Sequence, residues 1–186
     1  MGKKLSEMSL TELWKLFPIY LTEHQPCWKE WYAEEESLLK NKLPEIDRIS
    51  HMGSTAVSSI WAKPTIDILV EIPEKYKLSD YKELILESGY LCMSETSDRI
   101  SFNKGYTEEG FAERVFHLHL RYAGDHDELY FRDYLLEHTE IAVEYEKMKL
   151  KLWKEYEFHR DGYTNAKTDF IQKYTKEAKL IYGNRY

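Results

Sequence analysis

The stretch from His51 to Glu71, reading His51-Met52-Gly53-Ser54-Thr55-Ala56-Val57 and on to Lys63-Pro64-Thr65-Ile66-Asp67-Ile68-Leu69-Val70-Glu71, constrains this chain more than any other. It reads as a tight Gly-Ser turn opening a short helix, a Lys-Pro break, and then a β-strand with one carboxylate in its middle. Glycine lets backbone N–H groups close on an anion, and a helix starting there adds the positive end of its dipole. Along the strand Thr65–Ile72, Ile66, Ile68 and Val70 point one way, and Thr65, Asp67, Leu69 and Glu71 the other. A carboxylate such as Asp67 beside such a turn would suit a divalent metal that bridges phosphates. The same pattern also describes an ordinary β–turn–α unit with one exposed Asp.

A second strand carries the other chemistry. Arg114-Val115-Phe116-His117-Leu118-His119-Leu120-Arg121 has a period of two, with Phe116, Leu118 and Leu120 on one face and His117, His119 and Arg121 on the other. A His-x-His pair on a strand presents two imidazoles to one metal or one anion, or packs in a polar groove.

The remaining elements follow from capping and periodicity. Ser9-Leu10-Thr11-Glu12 is a capping box ahead of a helix through Leu13, Leu16 and Phe17. A second helix is expected from about Pro26 to Lys40, with Pro26 in its first turn and Leu43-Pro44 past its end. Ile46 to Ser50 reads as a strand, Leu78 to Glu87 as a helix closed by Ser88-Gly89, and Tyr90 to Met93 as another strand. Strands near Arg99–Tyr106 and Phe111–Tyr122 flank a Thr-Glu-Glu-Gly hairpin turn. Helices then start at Asp125 or Asp127 and run from Thr139 to Phe158, the latter with a Lys/Glu-interleaved face of the kind usually turned to solvent. Asp161-Gly162 is expected to break the chain before a last helix, Tyr163 to Ile181. Residues 1–8 read as a loosely ordered lead-in, and Met1-Gly2-Lys3-Lys4-Leu5-Ser6 gives only a chance-level myristoylation pattern.

Composition limits the function classes. At 186 residues without repeats or linkers, the chain is read as a single domain spanning 1–186. A net charge of −7 argues against a protein dedicated to nucleic-acid backbones, which requires many cations, but leaves room for a small phosphorylated ligand in a local basic pocket. No apolar run is long enough to cross a bilayer. Cys27 and Cys92 lie far apart at no metal-ligand spacing, and with no secretory signal they read as reduced thiols of a cytoplasmic protein.

Several motifs in order resemble the GrpB family: His51-x-Gly53-Ser54-Thr55-Ala56-Val57, Ala62-Lys63-Pro64-x-Ile66-Asp67-Ile68-x-Val70, and Arg114-x-Phe116-His117-Leu118-His119. Phe131-Arg132-Asp133-Tyr134-Leu135, Tyr145-x-x-x-Lys149 and Tyr163-x-x-x-Lys167-x-x-Phe170-Ile171 complete the match. The resemblance implies an α+β, nucleotidyltransferase-like mixed β-sheet flanked by helices, with helical N- and C-terminal segments. It also implies that the turn at Gly53, Ser54 and Thr55 holds a nucleoside triphosphate, and a related domain occurs fused to dephospho-CoA kinases. In active members of that superfamily, two acidic residues on the following strand and a third on a later strand hold two Mg²⁺ ions.

This chain departs from that pattern. Thr65 stands at the first acidic position, only Asp67 remains, and His117 or His119 takes the place of the third carboxylate. Asp67, His117 and His119 would suit one softer ion such as Mn²⁺ or Zn²⁺ better than two Mg²⁺, or would form a metal-free pocket in which the histidines meet phosphate. Lys63, Arg114, Arg121 and Arg132 are candidates to balance phosphate charge, although Arg132 beside Asp133 is more naturally an ion pair. The functions implied are metal-assisted nucleotidyl transfer with Asp67 as the catalytic carboxylate, or a binding module that keeps the pocket without the catalysis. Hydrolysis at a His/Asp metal centre has only Glu71 to offer as a base.

Overall fold

The computed structural model describes residues 3–186. Met1-Gly2 lies outside them, and the rest of the lead-in holds one 3-10 turn, Leu5–Glu7. Helix α1 (Leu10–Leu16) is closed by the capping box: Ser9 Oγ accepts from Glu12 N–H, and the Glu12 carboxylate accepts from Ser9 N–H at 2.7 Å. Helix α2 spans Cys27–Lys42, with Pro26 immediately ahead of it.

Five strands form one mixed sheet: β1 (Arg48–Met52), β2 (Ile66–Ile72), β3 (Leu91–Glu95), β4 (Arg99–Thr107) and β5 (Gly110–Tyr122). Their order is β1-β2-β5-β4-β3, with β2 and β5 parallel at the centre and the other pairs antiparallel. The β2–β5 register sets Asp67 opposite His117, Leu69 opposite His119 and Glu71 opposite Arg121. Strand β1 lies two residues later than its sequence pattern suggests, because pairing with β2 carries it through His51 and Met52, opposite Ile68 and Asp67. His51 therefore ends a strand and leads directly into the turn.

The two faces of the sheet are covered differently. Ile66, Ile68, Val70, Phe116, Leu118 and Leu120 pack under α2 and α3 (Leu78–Leu86), with Trp28, Leu39, Tyr81 and Ile85 supplied by those helices. The face bearing Asp67 and His117 lies under helices α4 (Asp127–Glu137), α5 (Thr139–Tyr156), α6 (Arg160–Asn165) and α7 (Thr168–Tyr182), which meet Val57 and Ile60 in a second core of Tyr130, Phe131, Tyr134, Tyr145 and Tyr174.

Two sequence expectations fail here for local reasons. Gly53-Ser54 opens only a single 3-10 turn, Ser54–Ala56, so no substantial helix dipole points at the site. Asp161-Gly162 does not break the chain but lies inside α6, where His159 Nδ1 accepts from Gly162 N–H at 2.8 Å and a Cβ at Gly162 would collide with His159 and the Tyr156 ring. The chain breaks on either side of α6, at 157–159 and at Ala166-Lys167, so the expected last helix is two helices. No helix among the described residues is long and apolar enough to cross a membrane.

Candidate functional site

The site begins at the turn. Gly53 has φ +73°, a conformation that favours glycine, and a side chain there would strike the carboxylate of Asp67. The turn is thus seated directly on β2. Thr55 Oγ1 donates to Thr65 O at 3.2 Å, which leaves Thr55 Oγ1 to accept from His51 Nε2 at 2.9 Å. His51 in turn stacks on Tyr32 with centroids 4.7 Å apart. Burial pushes the His51 imidazole down to about 4, with Arg132 and His24 adding repulsion against the pull of Asp67. Thr55, expected beside a phosphate, lines the cavity described below, but it is buried and its hydroxyl proton is already donated within the protein.

The floor of the site is Asp67 and His117, held by a relay. Arg160 Nη2 donates to Tyr106 Oη at 2.9 Å, and Tyr106 Oη lies 2.8 Å from His117 Nε2. If the tyrosine proton goes to Nε2, the imidazole keeps its own proton on Nδ1, which sits 3.3 Å from Asp67 Oδ1. The reverse tautomer would point a lone pair at a carboxylate. Burial pushes His117 down to about 4, helped by Lys63, so the ring is neutral near pH 7. For Asp67 burial acts upward, yet His117, Lys63 and His119 outweigh it and hold the carboxyl down to about 2.

Cations form the walls. Lys63, Lys149, Arg160 and Lys167 converge with Ser54, Thr65, His117 and Asp67 on a cavity of about 360 Å³. Four cationic side chains thus face one carboxylate. Lys149 is only 2% exposed; its Nζ donates to Trp61 O and lies 4.9 Å from the Tyr145 ring centroid. Lys167 Nζ lies 4.3 Å from the Tyr163 ring centroid. Burial pushes Lys63 and Lys149 down to about 7, with Arg160 and Lys167 respectively adding repulsion, and pushes Lys167 down to about 8. An anion entering this cavity would relieve that repulsion and draw protons onto the amines.

The structure gathers some of the residues singled out from sequence and separates others. Ser54, Thr55, Lys63, Asp67, His117 and His119 meet at the cavity, and Gly53 lies against Asp67. Arg121 does not join them, because its guanidinium forms a fork with the Glu128 carboxylate, 2.8 Å at each arm. Arg114 pairs with Glu34 at 2.5 Å and lies over the Trp31 ring, also away from the cavity. Arg132 makes the expected pair with Asp133 and also donates to His51 O at 2.8 Å and Tyr186 Oη at 2.7 Å.

The donor set does not suit the expected metal. Thr65 is buried and its carbonyl already accepts from Thr55. His117 has both ring nitrogens engaged, so it lacks a lone pair for an ion. Among the described residues, no three His, Cys, Asp or Glu side chains are arranged to hold one. The amines of Lys63, Lys149 and Lys167 occupy the walls instead, and an unbound cation there would be repelled.

Lys149, Arg160, Lys167 and Tyr106 were not singled out as site residues from sequence. The two lysines share a signal that was legible: Tyr145-x-x-x-Lys149 and Tyr163-x-x-x-Lys167 both set a lysine four residues after a tyrosine. Within α5, and across the α6–α7 junction, that spacing lays the lysine stem along the ring and fixes where the amine points. A larger cavity of about 640 Å³ between α4 and α7 mixes both charge signs, and its Lys179 and Asp127 pair with each other at 2.5 Å.

Comparison with known proteins agrees with this architecture. A family model described as GrpB protein matches residues 18–177. The glutamate-rich protein GrpB of Alkalihalophilus pseudofirmus is 32% identical over 165 residues, covering 86% of this chain and 95% of that protein. The UPF0157 protein YqkA of Bacillus subtilis is 30% identical over 183 residues, covering 95% of this chain, which spans only 52% of YqkA. The crystal structure of conserved protein GrpB from Enterococcus faecalis superposes with a TM-score of 0.76 at 34% identity, covering 88% of this chain and 99% of that one. The Cid1 poly(U) polymerase with MgGTP bound aligns at a TM-score of 0.51 and 13% identity, over 79% of this chain and 47% of Cid1, a likeness of fold alone. On a nucleotidyltransferase-like fold, with a family match that runs from the first helix's end into the last helix, this chain belongs to the GrpB family.

Proposed function

We propose that the cavity is an anion site and that the protein binds a nucleotide or another phosphorylated small molecule there, directly through Lys63, Lys149, Arg160 and Lys167. One observation carries this reading: four cations surround a single carboxylate in a cavity of about 360 Å³ beside the Gly53-Ser54 turn. Metal ions that bridge phosphates neutralise charge and position oxygens. Buried lysines and an arginine do the same without an ion, and Arg supplies a planar fork for phosphate oxygens. Nucleotide is the ligand class with which the fold neighbour Cid1 was solved. In this reading Asp67 fixes His117 and tempers the cation cluster.

Metal-assisted nucleotidyl transfer is the second reading, favoured by Asp67, an ionised carboxylate facing the cavity. Asp67→Asn separates the two. A thermal-shift series with ATP and inorganic tripolyphosphate, in chelator, should raise the melting temperature by mass action. The substitution should preserve or increase that rise, since Asp67 is the only carboxylate lining the cavity among the described residues. Transfer of label from any of the four nucleoside triphosphates to an acceptor with Mg²⁺, Mn²⁺ or Zn²⁺, abolished by Asp67→Asn, would favour the second reading. No melting shift with any phosphorylated compound would refute the first.

A further inference from the structure

A second cavity of about 300 Å³ adjoins the cationic one, and the two share Ser54, Asp67, His119, Thr164 and Lys167 as lining. Its character is different. Beyond the shared rim it is walled by Met52, Phe131, Leu135, Tyr145 and Ile171, with Phe131 set edge-on to Tyr145 at 5.2 Å between centroids. The polar side chains in this half are already engaged: Glu128 accepts from Arg121, and Arg132 is held by Asp133, His51 O and Tyr186. That leaves mostly apolar surface for a ligand. One cleft therefore has a cationic half and an apolar half, meeting at a seam where His119 stands beside Asp67.

We propose that the two cavities are halves of one ligand site, and that its ligand is a phosphorylated compound with an apolar or aromatic body, not a bare polyphosphate or a sugar phosphate that lacks such a body. The phosphates lie against Lys63, Lys149 and Arg160, the body lies against Phe131, Leu135, Tyr145 and Ile171, and His119 sits at the bond that joins them. This arrangement follows from solvation. Phosphates exchange water for buried cations in one half, whereas a polar sugar in the other half would lose its water without gaining partners. A flat or apolar body has no such penalty and gains contact area. His119 is kept neutral, with burial the main cause, so it can meet the joining oxygen as donor or acceptor.

The proposal rests on the anion-site reading, and calorimetry on the full chain in chelator distinguishes the two. Tripolyphosphate, ATP and fructose 1,6-bisphosphate are the probes. Binding of ATP at least tenfold tighter than either tripolyphosphate or the sugar bisphosphate is expected. Ile171→Trp, which fills the apolar half from α7, should bring ATP down to the level of tripolyphosphate and leave tripolyphosphate unchanged; Ile171→Ala, a milder change, should lower only ATP. Equal affinity of the wild-type protein for all three probes would overturn the two-half site, as would a sugar bisphosphate that binds as well as ATP. Binding of no probe would instead remove the anion site itself, and the two-half proposal with it.

Discussion

Strands β2 and β5 lie side by side and carry polar residues at the same alternating positions, yet their two ends have opposite fates. At one end Asp67 and His117 face Lys63, Lys149, Arg160 and Lys167, none of which pairs with a carboxylate among the described residues. At the other end Glu71 and Arg121 are both paired, although Glu71 Oε2 meets only Arg48 Nη1, at 3.5 Å. Glu71 Oε1 accepts from Gly124 N–H at 3.0 Å and lies 2.7 Å from His126 Nδ1, while Arg121 is forked onto Glu128. Paired charges under helices hold a structure together; charges of one sign left to face each other raise its energy until something binds. From sequence, Asp67, Glu71, His117 and Arg121 look alike. What separates them is whether the covering helices bring partners.

The largest effect expected from this contrast is on stability. Glu71→Ala takes the acceptor from Gly124 N–H and His126 Nδ1, and losing a hydrogen bond to a buried carboxylate costs about 1.5–3 kcal/mol. Lys63→Met should do the reverse, replacing a buried amine that makes no direct ion pair among the described residues with an apolar side chain of similar length. Urea unfolding should show it as stable as the wild type or more so, while its affinity for tripolyphosphate falls about tenfold, ~1.4 kcal/mol. If Lys63→Met destabilises the protein as much as Glu71→Ala, the two ends do not differ in the way described.

Protonation gives a second test. Lys63 and Lys149 are held down to about 7 from an ordinary 10.5, so between those values the unfolded chain binds more protons than the folded one. Their contribution to stability therefore grows as pH rises through that window. Anion affinity runs the other way and should weaken from pH 7 to pH 9, with proton uptake on binding, as measured by calorimetry in buffers of different ionisation enthalpy. On the acid side, His51 and His117 are neutral in the fold down to about 4 but titrate near 6.5 when unfolded, so their contribution is lost as pH falls from 6.5 toward 4. A flat affinity from pH 7 to 9 would argue against lysines as the anion's partners.

The smallest effect concerns the relay. Tyr106→Phe removes the donor to His117 Nε2 and should cost about 1 kcal/mol. That hydrogen bond stabilises the neutral ring, so without it His117 should titrate at higher pH by NMR. An unchanged His117 titration would mean that the tyrosine does not set the imidazole's state.

Much of the fold was legible because local signals agreed with tertiary packing. The Ser9–Glu12 box, the Thr107–Gly110 hairpin and the alternation of β2 and β5 each encode their own geometry, and the family motifs ordered them. The site was only half legible. Asp67, His117 and Lys63 sit where the strand period and the Lys-Pro break put them. Lys149 was hidden in a helix whose Lys/Glu interleaving suggests solvent, because periodicity does not reveal that α6 and the α6–α7 junction cover that turn of α5. Tyr106 depends on a register shift at Gly105 (φ +89°), where β4 steps relative to β5, and no pairing rule read from sequence anticipates it. Thr55 and Arg121 have the chemistry to hold phosphate, but Thr55 donates to Thr65 O, ten residues on, and Arg121 is forked onto Glu128, seven residues on, pairings that cross from one element to the next and that no helix or strand period encodes.

The central claim is that lysine and arginine side chains stand in for metal ions at this site. The most direct measurement is calorimetric titration of the protein with ATP in EDTA and again in millimolar Mg²⁺. The account predicts binding in EDTA at least as tight as in Mg²⁺, since free ATP presents more negative charge to the four cations. Binding that appears only when Mg²⁺ or Mn²⁺ is added, and vanishes in Asp67→Asn, would contradict it.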